Sequence, residues 1–400
     1  MQTSYLQLVV ILGALSAFAP LATDMYLPAL PTLERAFAAS SLQVQLTLAT
    51  FFAGFAVGQS LFGPITDRFG RKRPLYFGLG VFVASSVACA LAPSIHAFSL
   101  FRFLQAFGAC AGLVISRAMV RDLFDPQQAV RVFSALMLVF GVAPILAPLI
   151  GGYLLVWFGW QAIFAALAAF GLACLAAIAL LLPETHKAEN VQPLSLKPVL
   201  AGYGRLLVHR EFVGYTLTSG FSMAGMFAYI AGSPFVFIEL YGVPAQQYGW
   251  LFGLNAAGLI AASQINGRLL HRRFGSHAIL RVTNIAQSIC GLVLLLTAAT
   301  GFGGLAGILL PLFGFISCNG LKMPNATALA MAPHGRNAGT ASALMGTMQF
   351  TLGAISALII GALHFRSAVP MAGVIALCGV LGFAVYAILI GDATEAHDQA

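Results

Sequence analysis

The chain alternates between long apolar segments and short stretches that carry its charges. A helix needs about 20 apolar residues to cross the hydrocarbon core of a membrane, and it satisfies its own backbone polar groups, as lipid requires. A membrane β-barrel would instead show alternating segments of about 10 residues. The pattern therefore predicts an all-α membrane protein. Twelve transmembrane helices are predicted, at residues 5–29, 42–65, 75–93, 97–119, 131–156, 160–182, 212–238, 247–270, 277–299, 305–329, 338–361 and 367–390.

One long polar stretch, residues 183–210, divides the spans into two sets of six, and its prolines and mixed charge are typical of a linker. Arg-Phe-Gly follows the second span of each set, at residues 68–70 and 273–275, with an offset of 205 residues. We therefore predict two pseudo-symmetric six-helix bundles, at 1–182 and 211–400, related by an axis normal to the membrane. The second bundle ends in a short cytoplasmic tail, and a substrate site would lie between the bundles.

Basic residues are concentrated in alternate loops. Of 20 Lys and Arg residues, fifteen lie in cytoplasmic loops if the N-terminus is cytoplasmic, and only Arg35 and Arg366 lie in the opposite loops. The positive-inside rule then predicts cytoplasmic N- and C-termini. Because topology accounts for the net charge of +8, no nucleic-acid partner is predicted. The six cysteines lie in apolar segments without metal-ligand spacing, so neither disulfides nor a metal site are predicted.

Asp24 is an acidic residue inside the first apolar segment. A carboxylate within a transmembrane helix costs about 2.5–3.5 kcal/mol on insertion scales, so it indicates a functional site. Span one runs outward and span four runs inward, which puts Asp24 and Arg102 each about five residues, or roughly 7–8 Å, from the periplasmic end. The shared depth predicts that they lie side by side. Two alternatives remain open: Asp24 is hydrated at a helix end, or the two residues form a static structural ion pair.

An arginine beside a carboxylate favours its charged form, whereas removal from water favours its neutral form. A carboxylate balanced between these effects loads and releases a proton as its surroundings change. Asp24 and Arg102 are therefore the predicted proton-coupling residues.

The loop between spans two and three begins Gly63-Pro-Ile-Thr-Asp67-Arg68-Phe-Gly70-Arg71. It resembles the Gly-x-x-x-Asp-Arg-x-Gly-Arg loop of the major facilitator superfamily. Gly63 would permit close helix approach and Gly70 a tight turn. The resemblance implies a gating role for this loop, with Asp67 and Arg68 as its central residues. Positive-inside topology alone would explain the basic residues but not Asp67.

Two further segments resemble the same superfamily. Arg102-Phe-Leu-Gln105-Ala is similar to its fourth-span Arg-x-x-Gln-Gly pattern, with Ala in place of the last Gly. Span five contains Ala-Pro144-Ile-Leu-Ala-Pro148-Leu-Ile-Gly151-Gly152, which resembles the antiporter signature that ends Gly-Pro-x-x-Gly-Gly. The prolines would bend this helix and the glycines would permit close packing, so all four are predicted gating residues.

Together with Thr-Asp24-Met-Tyr-Leu-Pro-Ala-Leu-Pro, these patterns resemble the bicyclomycin-resistance family of twelve-span drug:proton antiporters. The resemblance implies a monomeric carrier of the bacterial inner membrane. It would export bicyclomycin, chloramphenicol, sulfonamides or similar small molecules by alternating access, with the proton gradient as energy source and no cofactor. The alternative is proton-coupled transport of a metabolite, either export of an amino acid or short peptide or import of a nutrient. No hydrolase or zinc-protease motif is present, so the chain is not predicted to be an enzyme.

Several polar or adaptable side chains within the spans are candidates for contacts with the substrate in an otherwise apolar cavity. Each could equally serve as packing between helices. Lys322 lies in span ten, and the sequence leaves open whether it extends to the interface or takes part in substrate selection. The predicted substrate-binding residues are Tyr26, Gln105, Met137, Tyr229, Asn255, Asn319, Lys322 and Gln349.

Overall fold

A computed structural model describes residues 5–182, 184, 196–270, 273–333, 338–363 and 367–390. Some side chains within these ranges lie outside the description, among them those of Asp67 and Met137. All regular secondary structure in the described ranges is helical. The chain divides into two compact units, Met1–Leu194 with Pro244–Phe252 and Ser195–Val243 with Gly253–Ala400.

In its described residues the first unit contains seven α-helices of its own. Six are long enough to cross a membrane, and the seventh, α2, is a short continuation of the first span beyond a 3-10 turn at Leu27–Ala29. The helices are α1 Tyr5–Asp24, α2 Leu30–Ala36, α3 Ser41–Phe69, α4 Lys72–Ala90, α5 Ile95–Leu123, α6 Pro126–Phe158 and α7 Trp160–Leu181.

The second unit repeats this arrangement after a helix that lies within the predicted linker. That helix, α8, spans Leu196–Val208. The remaining helices are α9 Arg210–Pro234, α10 Ala245–Ile265, α11 Ser276–Thr300, α12 Gly304–Met331, α13 Ala338–Ala362 and α14 Val369–Leu389. Two of them continue as π-helices, α9 through Phe235–Leu240 and α10 through Asn266–Leu270. The first turns of α10 group with the first unit.

A helix is present at each of the twelve predicted spans, so the fold class is confirmed. Eleven helices in the described ranges meet a length and hydropathy criterion for crossing a membrane. The exception is α10, at the predicted eighth span, whose apolar run is interrupted by Gln246, Gln247, Asn255 and Gln264. The α6 helix begins at Pro126, earlier than the predicted residue 131, because Asp125 caps it: its carboxylate accepts the backbone N–H of Gln128 at 2.8 Å.

Five pairs of helices pack in the same way in the two units. In the first unit α1 packs on α5, α6 and α7, while α4 packs on α5 and α7. In the second unit α9 packs on α12, α13 and α14, while α11 packs on α12 and α14. These are equivalent pairs when the six spans of each unit are numbered in order. The equivalence agrees with the repeat inferred from the two Arg-Phe-Gly turns.

Candidate functional site

Asp24 lies at a break in the first span. It is the last residue of α1, and a turn and a 3-10 helix separate it from α2. Pro28 has no N–H and therefore cannot donate the helical hydrogen bond that the Asp24 carbonyl would otherwise accept. The side chain is only 4% exposed. The structure thus places a buried acid beside an interrupted helical backbone, the arrangement that builds polar sites in membrane carriers.

Arg102, on α5, is completely buried and lies at the level of this break. Its Nη1 donates to the carbonyl oxygen of Ala22 at 3.0 Å and to Oε1 of Gln105. Nε and Nη2 have no hydrogen-bond partner among the described residues. Three aromatic rings face the guanidinium carbon, those of Tyr26 at 4.0 Å, Phe51 at 4.3 Å and Phe164 at 5.8 Å from their centroids. Aromatic faces therefore provide much of the environment of this charge.

The predicted common depth of Asp24 and Arg102 is confirmed, because Arg102 binds the carbonyl of a residue two positions before Asp24. Their side chains, however, form no ion pair in the described structure. The guanidinium is directed to the backbone carbonyl and the aromatic rings instead. As a result the acid has no cationic partner among the described residues, and the cation has no acidic one.

Two predicted substrate contacts, Tyr26 and Gln105, belong to the surroundings of Arg102. The hydroxyl of Tyr26 lies 3.3 Å from Oγ1 of Thr47, and Nε2 of Gln105 donates to Oγ of Ser86 at 2.7 Å. Tyr26, Gln105, Thr47 and Ser86 are all buried. In this structure they hold Arg102 in place.

The glycines of span five pack closely, as predicted. A Cβ added at Gly151 would overlap the carbonyl of Met25, the residue after Asp24, and one at Gly152 would lie 2.6 Å from the carbonyl oxygen of Ala245, in the same unit. The α6 helix continues through Pro144 and Pro148. The antiporter-like segment is therefore in backbone contact with the break at Asp24, which the sequence did not indicate.

The loop after α3 is held by two acids that sequence reasoning missed. Nε of Arg71 lies 2.8 Å from the carboxylate of Asp122, at the end of α5, and Nη1 donates to the Thr66 hydroxyl at 3.0 Å. The carboxylate of Glu184 accepts the backbone N–H groups of Arg71 and Lys72 at 2.9 and 3.0 Å, at the start of α4. A carboxylate at this position also complements the helix dipole. Both acids follow spans that end on the predicted cytoplasmic side, a signal that could have identified them.

The structure confirms the prediction for only one of the other gating residues in this loop. Gly70 has φ +82°, so the expected tight turn that favours glycine is confirmed. Gly63 is not a site of close approach, since a Cβ added there would meet no atom within 4 Å. Arg68 is exposed, with its guanidinium 5.4 Å from the ring of Phe69. The side chain of Asp67 lies outside the description.

In the second unit, the predicted substrate-binding residues are paired with one another or with neutral neighbours. Nδ2 of Asn255 donates to the hydroxyl of Tyr229 at 3.2 Å, and Nε2 of Gln349 donates to Oγ of Ser219 at 3.2 Å. All of these side chains are buried. The side chain of Met137, in the first unit, lies outside the description.

Lys322, on α12, belongs to a buried network on three helices of the second unit. Its Nζ donates to Oε1 of Gln287 on α11, whose Nε2 donates to Oγ of Ser222 on α9 at 2.8 Å. Ser222 in turn donates to Oδ1 of Asn319 at 2.6 Å. Lys322 has 0% exposure, so it does not extend to an interface in this structure. Gln287 and Ser222 carried no signal that distinguished them in the sequence.

Comparison with known proteins gives the family and the fold of the chain. Residues 12–358 match the family model of the Major Facilitator Superfamily. The chain is 35% identical to a bicyclomycin resistance protein homolog of Haemophilus influenzae, over 97% of each chain. It is 33% identical to a chloramphenicol resistance protein of Pseudomonas aeruginosa, over 91% of this chain and 86% of the relative.

Among solved structures, the fold is similar to that of a D-xylose-proton symporter, with a TM-score of 0.80 and 16% identity over 97% of this chain and 98% of the symporter. At that identity the likeness concerns the fold alone. The helices at the twelve predicted spans and the family match agree in describing a membrane transporter and not an enzyme. The chain belongs to the major facilitator superfamily of multi-pass membrane transporters, and its relatives include drug-resistance proteins.

Proposed function

We propose that this protein is a proton-coupled exporter of small drug-like molecules, with Asp24 as its proton carrier. The observation that carries the proposal is the buried Asp24 carboxylate at the break in span one, without a cationic partner among the described residues. A carboxylate withdrawn from water and not neutralised by a cation gains a proton more readily than a paired one. Its relatives named for bicyclomycin and chloramphenicol resistance support the substrate class.

Asp24 and Arg102 have different roles in this proposal. Asp24 binds a proton from the periplasm, which favours release of the substrate, and it loses the proton toward the cytoplasm before the next substrate binds. Arg102 is proposed to position Asp24 and not to carry the proton itself. By binding the Ala22 carbonyl and stacking on Tyr26, it fixes the end of α1 on which Asp24 lies.

The conformational change is proposed to reach Asp24 through α6. Gly151 brings the α6 backbone against the carbonyl of Met25, so movement of α6 displaces the turn that follows Asp24. Protonation of Asp24 and the position of α6 then depend on each other, as coupled transport requires. The loop around Arg71, held by Asp122 and Glu184, is proposed to gate the opposite end of the same unit.

The proton gradient is sufficient for this task. One proton that moves inward through about 150 mV releases about 3.5 kcal/mol. At 1.4 kcal/mol per tenfold ratio, this sustains a roughly 300-fold concentration gradient of a neutral drug. We further propose that both termini are cytoplasmic and that the monomer is the working unit.

The test uses purified protein in proteoliposomes of known orientation with an imposed proton gradient, and bicyclomycin and chloramphenicol as substrates. Asp24→Asn should insert normally and lose gradient-driven accumulation, while exchange of substrate without a gradient persists. Asp125→Asn is the matched control, because Asn also caps a helix and Asp125 is exposed at the N-cap of α6. Accumulation by Asp24→Asn equal to that of the unmodified protein would refute the carrier role. Accumulation only in the importing direction would refute export.

A further inference from the structure

The second unit contains a buried amine that the mechanism above does not use. Lys322 lies nine residues before the end of α12, or about 14 Å along the helix axis from that end. Its Nζ donates to Gln287. A Cβ added at Gly382, on α14, would lie 3.7 Å from Nζ, so the absence of a side chain there leaves room beside the amine.

Among the described residues of the second unit, no acid forms an ion pair with this amine. From residue 195 to residue 391 the sequence has only two acids, Glu211 and Glu239. Glu211 lies in the first turn of α9 and Glu239 in the π-helix at its other end, and both are exposed. A buried ammonium without a carboxylate nearby is disfavoured by the loss of its hydration.

Among the described residues, the groups placed beside the amine or its hydrogen-bond partners are neutral. They are Gln287 on α11, Ser222 on α9, Gly382 on α14, and on α12 itself Asn319 and the thiol of Cys318 one turn earlier. Hydroxyl and carboxamide groups both donate and accept hydrogen bonds. Oε1 of Gln287 accepts an N–H from an ammonium or from a neutral amine, so the network accommodates both forms.

We propose that Lys322 is a second proton-coupling site, which gains and loses a proton during the transport cycle. In the step itself one N–H bond of the ammonium breaks, the electron pair stays on Nζ, and the proton passes to water when the second unit opens. Buried lysines change protonation state readily, unlike arginines. Each unit then carries one titrating group, Asp24 in the first and Lys322 in the second. The inference rests on the proposed proton-coupled export.

Two substitutions fix the two states of Lys322. Lys322→Arg keeps the side chain charged, and Lys322→Met keeps it neutral at similar length. If Lys322 changes protonation state, both variants lose gradient-driven accumulation of chloramphenicol in proteoliposomes, while exchange without a gradient persists. Driven accumulation by Lys322→Arg at the level of the unmodified protein would show that only a fixed charge is needed. The same result for Lys322→Met would show that no charge is needed. Either result overturns the proposal.

A second measurement does not depend on the stability of these variants. Proton release on addition of chloramphenicol is recorded for detergent-purified protein and for Asp24→Asn across a series of pH values. If Lys322 is a second proton site, Asp24→Asn still releases protons when chloramphenicol is added, but fewer than the unmodified protein. If Asp24→Asn still binds chloramphenicol and releases no protons, the Lys322 proposal is overturned. Failure of the proposed function is a separate result, namely unchanged driven transport by Asp24→Asn.

Discussion

Arg102 is a buried charge without an acidic partner among the described residues. Its replacement should lower driven transport in every variant, whereas the change in folding free energy should depend on whether the new side chain is charged. We compare Arg102→Met, which removes the charge at similar length, with Arg102→Lys, which keeps it. Both lose the planar stacking on Tyr26 and Phe51. The Met variant also loses the hydrogen bonds to Ala22 and Gln105, and the Lys variant loses one of them. Only the Lys variant still bears the desolvation cost of a buried charge.

The expected magnitudes follow from these contacts. Stacking of a desolvated cation on aromatic rings stabilises by about 2 kcal/mol or more, and each hydrogen bond from a charged donor by about 1.5–3 kcal/mol. Desolvation of the charge opposes these gains by several kcal/mol. Arg102→Met removes the stabilising contacts and the desolvation cost together. Its folding free energy should therefore stay within about 2 kcal/mol of that of the unmodified protein. Arg102→Lys should be destabilised by about 2–4 kcal/mol, because it loses one hydrogen bond and part of the attraction between the cation and the aromatic rings.

Thermal unfolding in detergent with a thiol-reactive dye measures this difference, because Cys89, Cys110, Cys174 and Cys378 are buried until the protein unfolds. For a unit of about 200 residues, the Lys variant should unfold roughly 5–15 °C lower, and the Met variant close to the unmodified protein. Gradient-driven transport should fall in both variants, because neither fixes the end of α1 as the guanidinium does. A Met variant that unfolds well below the Lys variant would refute the reasoning about an uncompensated charge.

Two further predictions concern the contacts around the site. Gly151→Ala places a methyl group against the Met25 carbonyl and should cost about 1–3 kcal/mol and slow transport, whereas Gly80→Ala, where a Cβ meets no atom within 4 Å, should leave both unchanged. Equal unfolding temperatures for the two alanine variants would contradict this contact. Glu184→Gln removes a negative charge from the start of α4 and should weaken that helix end by about 0.3–1 kcal/mol. Amide hydrogen exchange there should accelerate, and unchanged exchange would exclude a capping role for the carboxylate.

The sequence by itself determined the helices and their order. Lipid offers no hydrogen-bond partners to the backbone, so apolar runs of sufficient length must be helical, and charged turns must separate them. Because an α-helix rises by about 1.5 Å per residue, the depth of a polar residue could be counted along its helix. Arg102 does lie at the level of the end of α1. The turn at Gly70 was also predictable, because glycine favours its positive φ. Close packing at Gly151 was predictable because a glycine leaves room for a neighbouring helix, but the sequence did not indicate that Met25 would be the neighbour.

Only the tertiary structure decided which side chains meet. Residue counting gives depth along a helix but not the rotation of that helix about its axis, and rotation determines which neighbour a side chain faces. Arg102 therefore contacts aromatic rings and a backbone carbonyl instead of Asp24, and Lys322 contacts Gln287, 35 residues earlier in the chain. The capping of α4 by Glu184 likewise joins groups more than 110 residues apart. Such contacts arise from the packing of several helices at once, which no single segment of the sequence specifies.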